Sequence, residues 1–382
     1  MKILCVIGAR PNYMKIAPII NEMEEYNSAR SLEINLDYLL VHTGQHYDDN
    51  MSDSFFKDLQ IPLPDIYLGV GSGSHAEQTA RIMTGFEKIC FREHPDLVIV
   101  VGDVNSTLGC SLVAAKLLIP VAHVEAGLRS FDRSMPEEIN RIVTDSLSTY
   151  LFTTCRDANK NLKREGIPEN RIFFVGNVMI DSLLKNKELA KSQIKKFNKL
   201  KKTDYALLTL HRPSNVDNLK TFQDIFEALI TISKKIPIVF PAHPRTQKMI
   251  KEFGFKDLFR NNLASNLSPR KGICLIPPMS YLEFLSLMDS AKFVLTDSGG
   301  IQEETTVLGI PCLTLRENTE RPITHREGTN TLVGTDKDKI TRKAFDILNG
   351  KIKHGKIPEL WDGKASQRIV KIILRKISDK KP

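Results

Sequence analysis

The sequence lacks any long hydrophobic run, since no apolar stretch approaches the roughly 20 residues that a membrane-spanning helix requires. It also lacks the apolar core of a secretion signal near its start, where Lys2 already opens a strand-like segment. Its 41% hydrophobic and 26% charged residues are an ordinary globular balance. We therefore expect a cytoplasmic protein without a membrane partner, and 382 residues suffice for two domains of common size.

Paired cysteines and common cofactor motifs are also missing. The six cysteines form no CxxC pair, and most lie in apolar segments, as expected for reduced core residues. No HxxxH, HExxH or three-carboxylate spacing stands out, so we predict no tightly bound metal. There is no GxSxG elbow and no Walker A loop, and the turn Gly8-Ala-Arg-Pro11 is not a GxGxxG fingerprint. We therefore do not infer NAD or any other cofactor.

Acidic residues are outnumbered, which gives a net charge of +9. Much of the excess lies in residues 185–202 and 364–381, whose amphipathic, lysine-rich pattern is typical of solvated helix faces. No RNP-like aromatic run or zinc finger accompanies them, so we do not expect nucleic acid as a partner. A positive field would instead help to attract a small anionic substrate.

Apolar runs of strand length alternate with helical patterns through most of the chain. The strand candidates are Lys2–Ile7, Tyr38–His42, Asp96–Val101, Val121–Val124, Leu151–Thr154, Ile172–Val175, Ala206–Leu210, Ile238–Pro241, Cys274–Ile276, Phe293–Thr296, Cys312–Leu315 and Leu332–Gly334. Helical patterns between them include Tyr13–Glu25, His75–Cys90, Ser106–Leu118, Leu219–Lys234 and Tyr281–Met288. This alternation predicts parallel sheets with helices on both faces. Because residues 185–202 separate two such sets, we predict an α/β protein with two Rossmann-like domains facing each other across a cleft.

A tight Ser-Gly-Gly turn follows the strand candidate Phe293–Thr296 and opens a helix. Asp297-Ser298 can cap that helix, and Gly299-Gly300 let a ligand approach the backbone closely. Free N–H groups at a helix start form a ready anion site, and Glu304, about one turn further on, could reach a ribose hydroxyl. The segment therefore predicts a nucleotide-diphosphate cradle, with an ordinary well-capped turn as the alternative.

Basic residues follow other strand candidates, at the edge where open parallel sheets bind ligands. Arg10 follows the first strand and Lys15 lies about one turn into the next helix. Arg10 is placed to meet a phosphate, although a surface arginine at a turn would look the same. His211 and His243 end strands of the second half, each with an arginine close behind. Two such pairs near the Ser-Gly-Gly turn favour phosphate binding over structural roles.

Three carboxylates are candidates for acid/base chemistry. Asp103 ends an almost continuous apolar strand, where a desolvated carboxylate suits such chemistry, although it could also cap the next helix. Glu125 ends the following strand and could instead form a structural ion pair with Arg129. Glu137 lies four residues before Arg141 on one helix face, where a surface salt bridge is the default alternative.

Eight separated motifs occur in one order along the chain. They are Gly8-Ala-Arg-Pro11, Thr43-Gly-Gln-His46, Gly102-Asp103, His123-Val-Glu-Ala-Gly-Leu-Arg129, Pro136-Glu-Glu-Ile-Asn-Arg141, His211-Arg212, Thr296-Asp-Ser-Gly-Gly-Ile-Gln-Glu-Glu304 and Thr319-Glu-Arg-Pro322. Together, from Lys2 to about Lys376, the chain resembles the non-hydrolysing UDP-N-acetylglucosamine 2-epimerases. The resemblance implies a GT-B-type fold, a homodimer and two domains. The N-terminal domain comprises residues 1–179 together with residues 364–382, which form a helix that returns to it. The UDP-binding domain comprises residues 180–363.

The resemblance also implies roles for individual residues. The family's active-site positions fall on Asp103, Glu125, Glu137, Arg141 and His211. Its diphosphate contacts fall on Arg10, His211, Ser298 and Gly299, its ribose contact on Glu304, and the ring beside the uracil on Phe284. Lys15, His243, Gly300 and Arg321 complete the expected substrate-binding residues.

The implied activity is reversible epimerisation of UDP-GlcNAc to UDP-ManNAc at C2, through elimination of UDP, a 2-acetamidoglucal and re-addition. This chemistry requires acid/base groups on both faces of the sugar and cationic stabilisation of the departing UDP. Three enzymatic alternatives stay open: a hydrolysing epimerase that gives ManNAc and UDP, an epimerase for another UDP-2-acetamido sugar, and a GT-B glycosyltransferase. A nucleotide-sugar sensor is disfavoured, because a diphosphate binder gains nothing from nearby carboxylates.

Overall fold

The computed structural model describes residues 1–29, 34–45, 62–193, 203–255, 259–261 and 272–378. The chain divides into two compact units: Met1–Leu184 with Glu359–Pro382 form unit 1, and Lys185–Pro358 form unit 2. Each unit has one sheet of seven parallel strands. In the described part of the chain, every helix is too short or too polar to cross a membrane.

The sheet of unit 1 has the strand order β3-β2-β1-β4-β5-β6-β7. Its strands are β1 Lys2–Ile7, β2 Asp37–His42, β3 Ile66–Tyr67, β4 Leu97–Val101, β5 Val121–Ala126, β6 Tyr150–Thr153 and β7 Ile172–Phe174. Its helices are α1 Arg10–Ser28, α2 His75–Glu93, α3 Asn105–Lys116, α4 Pro136–Leu147, α5 Arg156–Arg164 and α6 Val178–Gln193, which continues into unit 2. The strand order reverses between β1 and β4, so the ends of these strands form the topological switch point at which such sheets bind ligands.

The sheet of unit 2 has the strand order β10-β11-β9-β8-β12-β13-β14. Its strands are β8 Ala206–Thr209, β9 Ile238–Pro241, β10 Phe259–Asn261, β11 Ile273–Ile276, β12 Phe293–Thr296, β13 Cys312–Thr314 and β14 Asn330–Leu332. Its helices are α7 Pro213–Val216, α8 Leu219–Ser233, α9 Pro244–Glu252, α10 Tyr281–Asp289, α11 Gly299–Leu308, α12 Pro322–Arg326 and α13 Lys337–Leu348. Here the switch point lies between β8 and β12.

The last helix, α14 Ala365–Ser378, packs against α1 in unit 1. Its first turn is held by the buried carboxylate of Asp181, which accepts hydrogen bonds from the backbone N–H groups of Ala365 (3.1 Å) and Ser366 (2.7 Å). Just before the helix, the Trp361 indole donates to the carbonyl of Thr154 at 2.9 Å. These contacts connect the end of the chain to the unit in which it began.

Burial explains why the central strands are recognisable in the sequence. Every residue of β4, Leu-Val-Ile-Val-Val, is buried, as expected for a parallel strand covered by helices on both faces. Helix α2 begins at a capping box, in which the Ser74 hydroxyl accepts from the Glu77 N–H and the Glu77 carboxylate accepts from the Ser74 N–H. Apolar strands and capped helices thus produce the local signals of an α/β unit.

The predicted fold class, two Rossmann-like units with parallel sheets, is confirmed. The structure adds β3 and β10, which are two and three residues long and too short for a periodic signal. It also begins the last strand at Asn330, two residues before the predicted Leu332. Asn330 is polar and buried, and its side-chain oxygen is satisfied because it accepts from the Thr314 hydroxyl at 2.7 Å. Thr314 lies on the neighbouring strand β13, so the local sequence does not reveal this contact.

Candidate active site

The ends of β1 and β4 are joined by one side chain, Asn12 in the first turn of α1. Its amide oxygen accepts from the N–H groups of Gly8 (3.1 Å) and Ala9 (2.9 Å), and its amide nitrogen donates to the Val101 carbonyl at 3.0 Å. The loop after β1 is therefore fixed against the end of β4. Arg10 begins α1, and its side chain lies outside the described part of the structure.

Lys15 and Glu125 form a buried ion pair at this switch point, with side chains 6% and 3% exposed. Glu125 has φ +74°, a left-handed conformation that costs on the order of 1–3 kcal/mol for a residue other than glycine. Contacts with the surrounding residues, such as the ion pair with Lys15, must therefore stabilise this conformation of Glu125. The ammonium group of Lys15, a predicted substrate-binding residue, thus contacts Glu125.

Arg129 does not pair with Glu125, which was the structural alternative for Glu125. Arg129 instead donates to both carboxylate oxygens of Glu165, at 2.7 and 2.6 Å, and lies 2.7 Å from Asp145. These partners come from α4 and from the end of α5, 16 and 36 residues further along the chain. Local spacing therefore could not identify them.

Asp103 and Arg141 form an ion pair. Asp103 directly follows Gly102, and the side chains of Lys15 and Glu125 lie close to the Cα of that glycine. The Arg141 guanidinium is buried and also donates to Glu138 at 3.0 and 2.7 Å. Burial alone would raise the pKa of Glu138, but hydrogen bonds from backbone N–H groups and from Arg141 lower it below its usual value.

Glu138 is the residue on α4 that sequence reasoning missed. It is 1% exposed and accepts from the N–H groups of Ser130 (3.0 Å) and Phe131 (2.9 Å), which orders the polar loop before the helix. The predicted residue Glu137 is half-buried on the same first turn. Glu138 lies three residues and Glu137 four residues before Arg141, and both spacings place a carboxylate on the helix face of Arg141. Spacing alone therefore could not show which of the two pairs with Arg141.

In unit 2, the buried carboxylate of Asp297 organises the switch point between β8 and β12. It lies 3.0 Å from Nδ1 of His211 and accepts from the N–H groups of His211 (3.0 Å) and Arg212 (2.8 Å). Burial acts to raise the pKa of Asp297, but the contact with His211 and these hydrogen bonds outweigh it and lower the pKa. The His211 side chain, 46% exposed, is thereby oriented with Nε2 directed away from its carboxylate partner.

Helix α11 begins at Ser298, Gly299 and Gly300, as the sequence predicts, and Ser298 is its N-cap residue. Its first N–H groups have no acceptor within the helix and are available to an anion. The backbone is closely approached here, because a methyl group at Gly299 would overlap the side chains of Glu320 and Arg321. The Ser-Gly-Gly turn thus needs glycine for lack of space.

Arg321 lies within a buried group of charges beside this helix start. Its guanidinium is 2.9 Å from Glu303 and 2.5 Å from Glu320, and Glu320 is also 2.9 Å from Arg316. Arg212 lies 3.7 Å from the same carboxylate. Three arginines (Arg212, Arg316 and Arg321) and three carboxylates (Asp297, Glu303 and Glu320) therefore lie near the N-terminal end of α11.

Glu304 is almost completely buried and accepts a hydrogen bond from the Tyr281 hydroxyl at 2.9 Å. Burial and the nearby Glu303 raise its pKa to about 7, against a smaller opposing effect of Tyr281. Phe284 is half-buried on the same helix as Tyr281. His243 is exposed and caps α9 by accepting from the Arg245 N–H at 3.3 Å.

The candidate residues thus form two groups, one in each unit. Unit 1 brings together Lys15, Asp103, Glu125 and Arg141 near Gly102, with Glu137 on the helix of Arg141. Unit 2 brings together His211, Ser298, Gly299, Gly300 and Arg321 around the start of α11, with Glu304 one turn into this helix. Among the described residues, no cluster of three or more histidine, cysteine or acidic side chains is arranged to hold a metal ion.

Comparisons with known proteins agree on one family. A family model described as UDP-N-acetylglucosamine 2-epimerase matches residues 30–374. The UDP-N-acetylglucosamine 2-epimerase of Methanocaldococcus jannaschii is 46% identical over 379 residues, covering 98% of this chain and 99% of that protein. The UDP-2,3-diacetamido-2,3-dideoxy-D-glucuronate 2-epimerase of Pseudomonas aeruginosa is 40% identical, over 98% of this chain and 100% of its own.

Solved structures give the same result. The crystal structure of the Methanocaldococcus jannaschii UDP-GlcNAc 2-epimerase in complex with UDP-GlcNAc and UDP has a TM-score of 0.88 at 45% identity, covering 98% of this chain and 100% of that one. The Neisseria meningitidis UDP-GlcNAc 2-epimerase bound to UDP-GlcNAc has a TM-score of 0.84 at 31% identity, with coverage of 98% and 100%. With relatives aligned over nearly their whole length, the chain belongs to the UDP-N-acetylglucosamine 2-epimerase family.

Proposed function

We propose that this protein interconverts UDP-GlcNAc and UDP-ManNAc by epimerisation at C2, without hydrolysis. The observation that carries the proposal is the match of the family model across residues 30–374. The candidate residues support it, because acid/base side chains and anion-binding groups both lie at sheet switch points, where ligands of such folds bind.

The chemistry has two halves, an elimination of UDP and its re-addition. A base removes the proton from C2, the electron pair forms a C1–C2 double bond, and the C1–O bond breaks with release of UDP. In the reverse half, a UDP oxygen attacks C1 of the 2-acetamidoglucal while an acid returns a proton to C2 from the opposite face. Both halves need acid/base groups near C2 and cations near the β-phosphate.

We assign the acid/base work to the carboxylates of unit 1: Asp103, Glu125 and Glu137. Asp103 and Glu125 each contact a buried cation, Arg141 and Lys15 respectively, and these ion pairs fix the two carboxylates at the switch point. Arg141 would in addition counter negative charge that builds up on the substrate.

We assign the binding of UDP to unit 2. The Ser298 hydroxyl and the N–H groups at Gly299 and Gly300 would receive the diphosphate, with Arg321 supplying charge; the Ser298 N–H itself donates to the Thr296 hydroxyl. Asp297 orients His211 through Nδ1, which leaves Nε2 directed toward the phosphate or the leaving group. Glu304, Phe284, His243 and Arg10 keep the roles in substrate binding that the family resemblance implies, with Glu304 at the ribose.

A second candidate substrate follows from one specific comparison. The Pseudomonas aeruginosa relative, 40% identical over nearly the whole chain, is named for a UDP-2,3-diacetamido-2,3-dideoxy-D-glucuronate substrate. The same elimination would operate on that sugar, since the reacting C1 and C2 atoms carry the same groups. A UDP-sugar with a second acetamido group and a carboxylate is therefore the alternative substrate for this chain.

The test is proton NMR of the purified protein with UDP-GlcNAc in D2O, without added metal, NAD or acceptor. The proposal predicts a UDP-ManNAc signal and entry of deuterium at C2 of both sugars. Free ManNAc together with UDP would instead identify a hydrolysing enzyme. Turnover of the diacetamido uronate substrate alone would move the assignment to that sugar, and turnover that depends on an added acceptor would indicate a glycosyltransferase.

A further inference from the structure

His123 is a fully buried histidine on β5 with two acceptors. Its Nε2 lies 2.8 Å from the carbonyl oxygen of Gly102, and its Nδ1 lies 2.6 Å from a carboxylate oxygen of Asp145. A carbonyl oxygen can only accept, so Nε2 must donate to Gly102. Burial acts to raise the pKa of Asp145, but His123 and Arg129 hold it below its usual value, so Asp145 is a carboxylate and also accepts. Each ring nitrogen therefore faces an acceptor, which is the arrangement of a ring that donates from both nitrogens.

The charges around this ring balance when it is protonated. The second oxygen of Asp145 lies 2.7 Å from Arg129, which is bound in turn by both oxygens of Glu165. With the ring protonated, two cations face two carboxylates; the side chain of Glu165 is 35% exposed, while those of His123, Asp145 and Arg129 are at most 1% exposed. The charge count therefore agrees with a double donor, and the hydrogen-bond geometry carries the assignment.

This buried group reaches two of the three proposed acid/base carboxylates, Asp103 and Glu125, through the backbone. Gly102, whose carbonyl receives the His123 hydrogen bond, directly precedes Asp103. Gly127, whose N–H donates to Asp145 at 3.0 Å, lies two residues after Glu125. Gly102, Glu125 and Gly127 all have φ between +72° and +78°. Glycine adopts this left-handed region freely, whereas Glu125 does so at a cost and depends on outside contacts to persist. The His123–Asp145 pair supplies one contact to the Gly102 turn and one to the Gly127 turn.

We propose that His123 is a positioning residue for the epimerisation: by donating from both ring nitrogens it joins the Gly102 carbonyl to Asp145 and so fixes the placement of Asp103 and Glu125. It does not touch the reacting atoms, and it acts through these two residues. The inference rests on the proposed function, because Asp103 and Glu125 matter for turnover only if they perform the acid/base steps.

The test compares the wild type with two variants. In His123→Gln, one amide group can donate to Gly102, but its oxygen then faces the Asp145 carboxylate, so the Gly102–Asp103 peptide loses its fixed position. We expect kcat to fall roughly 10- to 100-fold with KM for the UDP-sugar nearly unchanged, because misplacement by about 1 Å is enough for such a loss. In the double variant His123→Gln/Asp145→Asn, the new amide of residue 145 can donate to that oxygen, and kcat is expected to recover in part.

The matched control is Ser366→Ala, which removes a buried hydrogen bond to Asp181 in the same unit. It is expected to lower Tm without changing kcat per folded molecule. A wild-type kcat in His123→Gln would overturn the positioning role. So would a loss of kcat that follows the fall in Tm in the same way in His123→Gln and in Ser366→Ala. A double variant no better than His123→Gln would overturn the hydrogen-bonding account. A wild type that converts no UDP-sugar would instead overturn the proposed function.

The protonation state has its own readout, which needs no substrate. NMR of the wild type labelled with 15N-histidine, with His123→Gln used to assign the signal, is expected to show both ring nitrogens of His123 protonated at the assay pH. A neutral ring with one unprotonated nitrogen would overturn the double-donor geometry whatever the activity of the enzyme.

Discussion

Replacement of Asp103 by asparagine removes one negative charge and leaves the size of the side chain unchanged. The carboxylate is 28% exposed and pairs with the buried guanidinium of Arg141. Asparagine can still accept a hydrogen bond from Arg141, and the Asp103 backbone carbonyl keeps its bond from Asn140 at 2.9 Å. The variant thus separates the chemistry of the carboxylate from its contribution to the fold.

The expected loss of stability is small, because Arg141 is not left without an anion. It retains two hydrogen bonds to the buried carboxylate of Glu138, at 3.0 and 2.7 Å. We therefore expect Asp103→Asn to lower the free energy of unfolding by about 1 kcal/mol, in the range of one hydrogen bond. Removal of the last partner of a buried charge would cost roughly 3–5 kcal/mol.

The expected loss of turnover is far larger. An amide cannot take up a proton at neutral pH, and a positioned acid or base contributes about 10²- to 10⁴-fold to a rate. Deuterium entry at C2 of UDP-GlcNAc and formation of UDP-ManNAc should both fall by this factor, while urea unfolding changes little. The control is Glu359→Gln, which alters an exposed ion pair with Arg156 and should leave kcat unchanged. Near-wild-type exchange in Asp103→Asn would remove Asp103 from the mechanism.

Three further predictions concern unit 2. The pKa of Glu304 is raised from 4.5 to about 7, so the native state binds a proton that the unfolded state loses, and stability should fall as pH rises from about 4.5 to about 7. Glu304→Gln should abolish this trend in a Tm–pH series, and an equal trend in the variant would contradict it. Asp297→Asn places an amide against the N–H groups of His211 and Arg212 and should lower the free energy of unfolding in urea by about 1–3 kcal/mol. The variant should also lose kcat, because His211 is no longer held in place. An unchanged free energy of unfolding would refute this role of Asp297. Gly299→Ala should raise the Kd for UDP on the order of 10-fold by calorimetry, since its methyl group displaces Arg321, and an unchanged Kd would exclude this turn as the diphosphate site.

Features with a local cause could be read from the sequence. The strand Phe293–Thr296, the turn at Ser298 and the helix after it follow from an apolar run and two glycines in succession. The same holds for β4 and the position of Asp103 at its end. The predicted side-chain cap is not formed, because Ser298 at the N-cap position makes no side-chain capping hydrogen bond. Because the ends of parallel strands meet at one edge, strand assignment was enough to group the candidate residues of each unit.

Features with a distant cause could not be read in this way. Asp297 was interpreted as a helix cap, yet its main partner His211 lies 86 residues earlier and meets it only because β8 and β12 are neighbours. Lys15 was predicted to bind substrate, and its ion pair with Glu125, 110 residues away, has no local signal. The left-handed conformation of Glu125 has no signal in its own sequence, because glutamate does not favour it.

The measurement that tests the central claim most directly uses UDP-GlcNAc with 18O in the bond between C1 and the β-phosphate, in D2O. Elimination of UDP frees the β-phosphate to rotate before re-addition, so the account predicts that 18O moves to non-bridging positions, seen by 31P NMR, while deuterium enters C2. Deuterium entry with the label still in the bridge would show that C2 epimerises without cleavage of the C1–O bond. That result would contradict the elimination mechanism and the assignment of the unit 2 residues to a departing UDP.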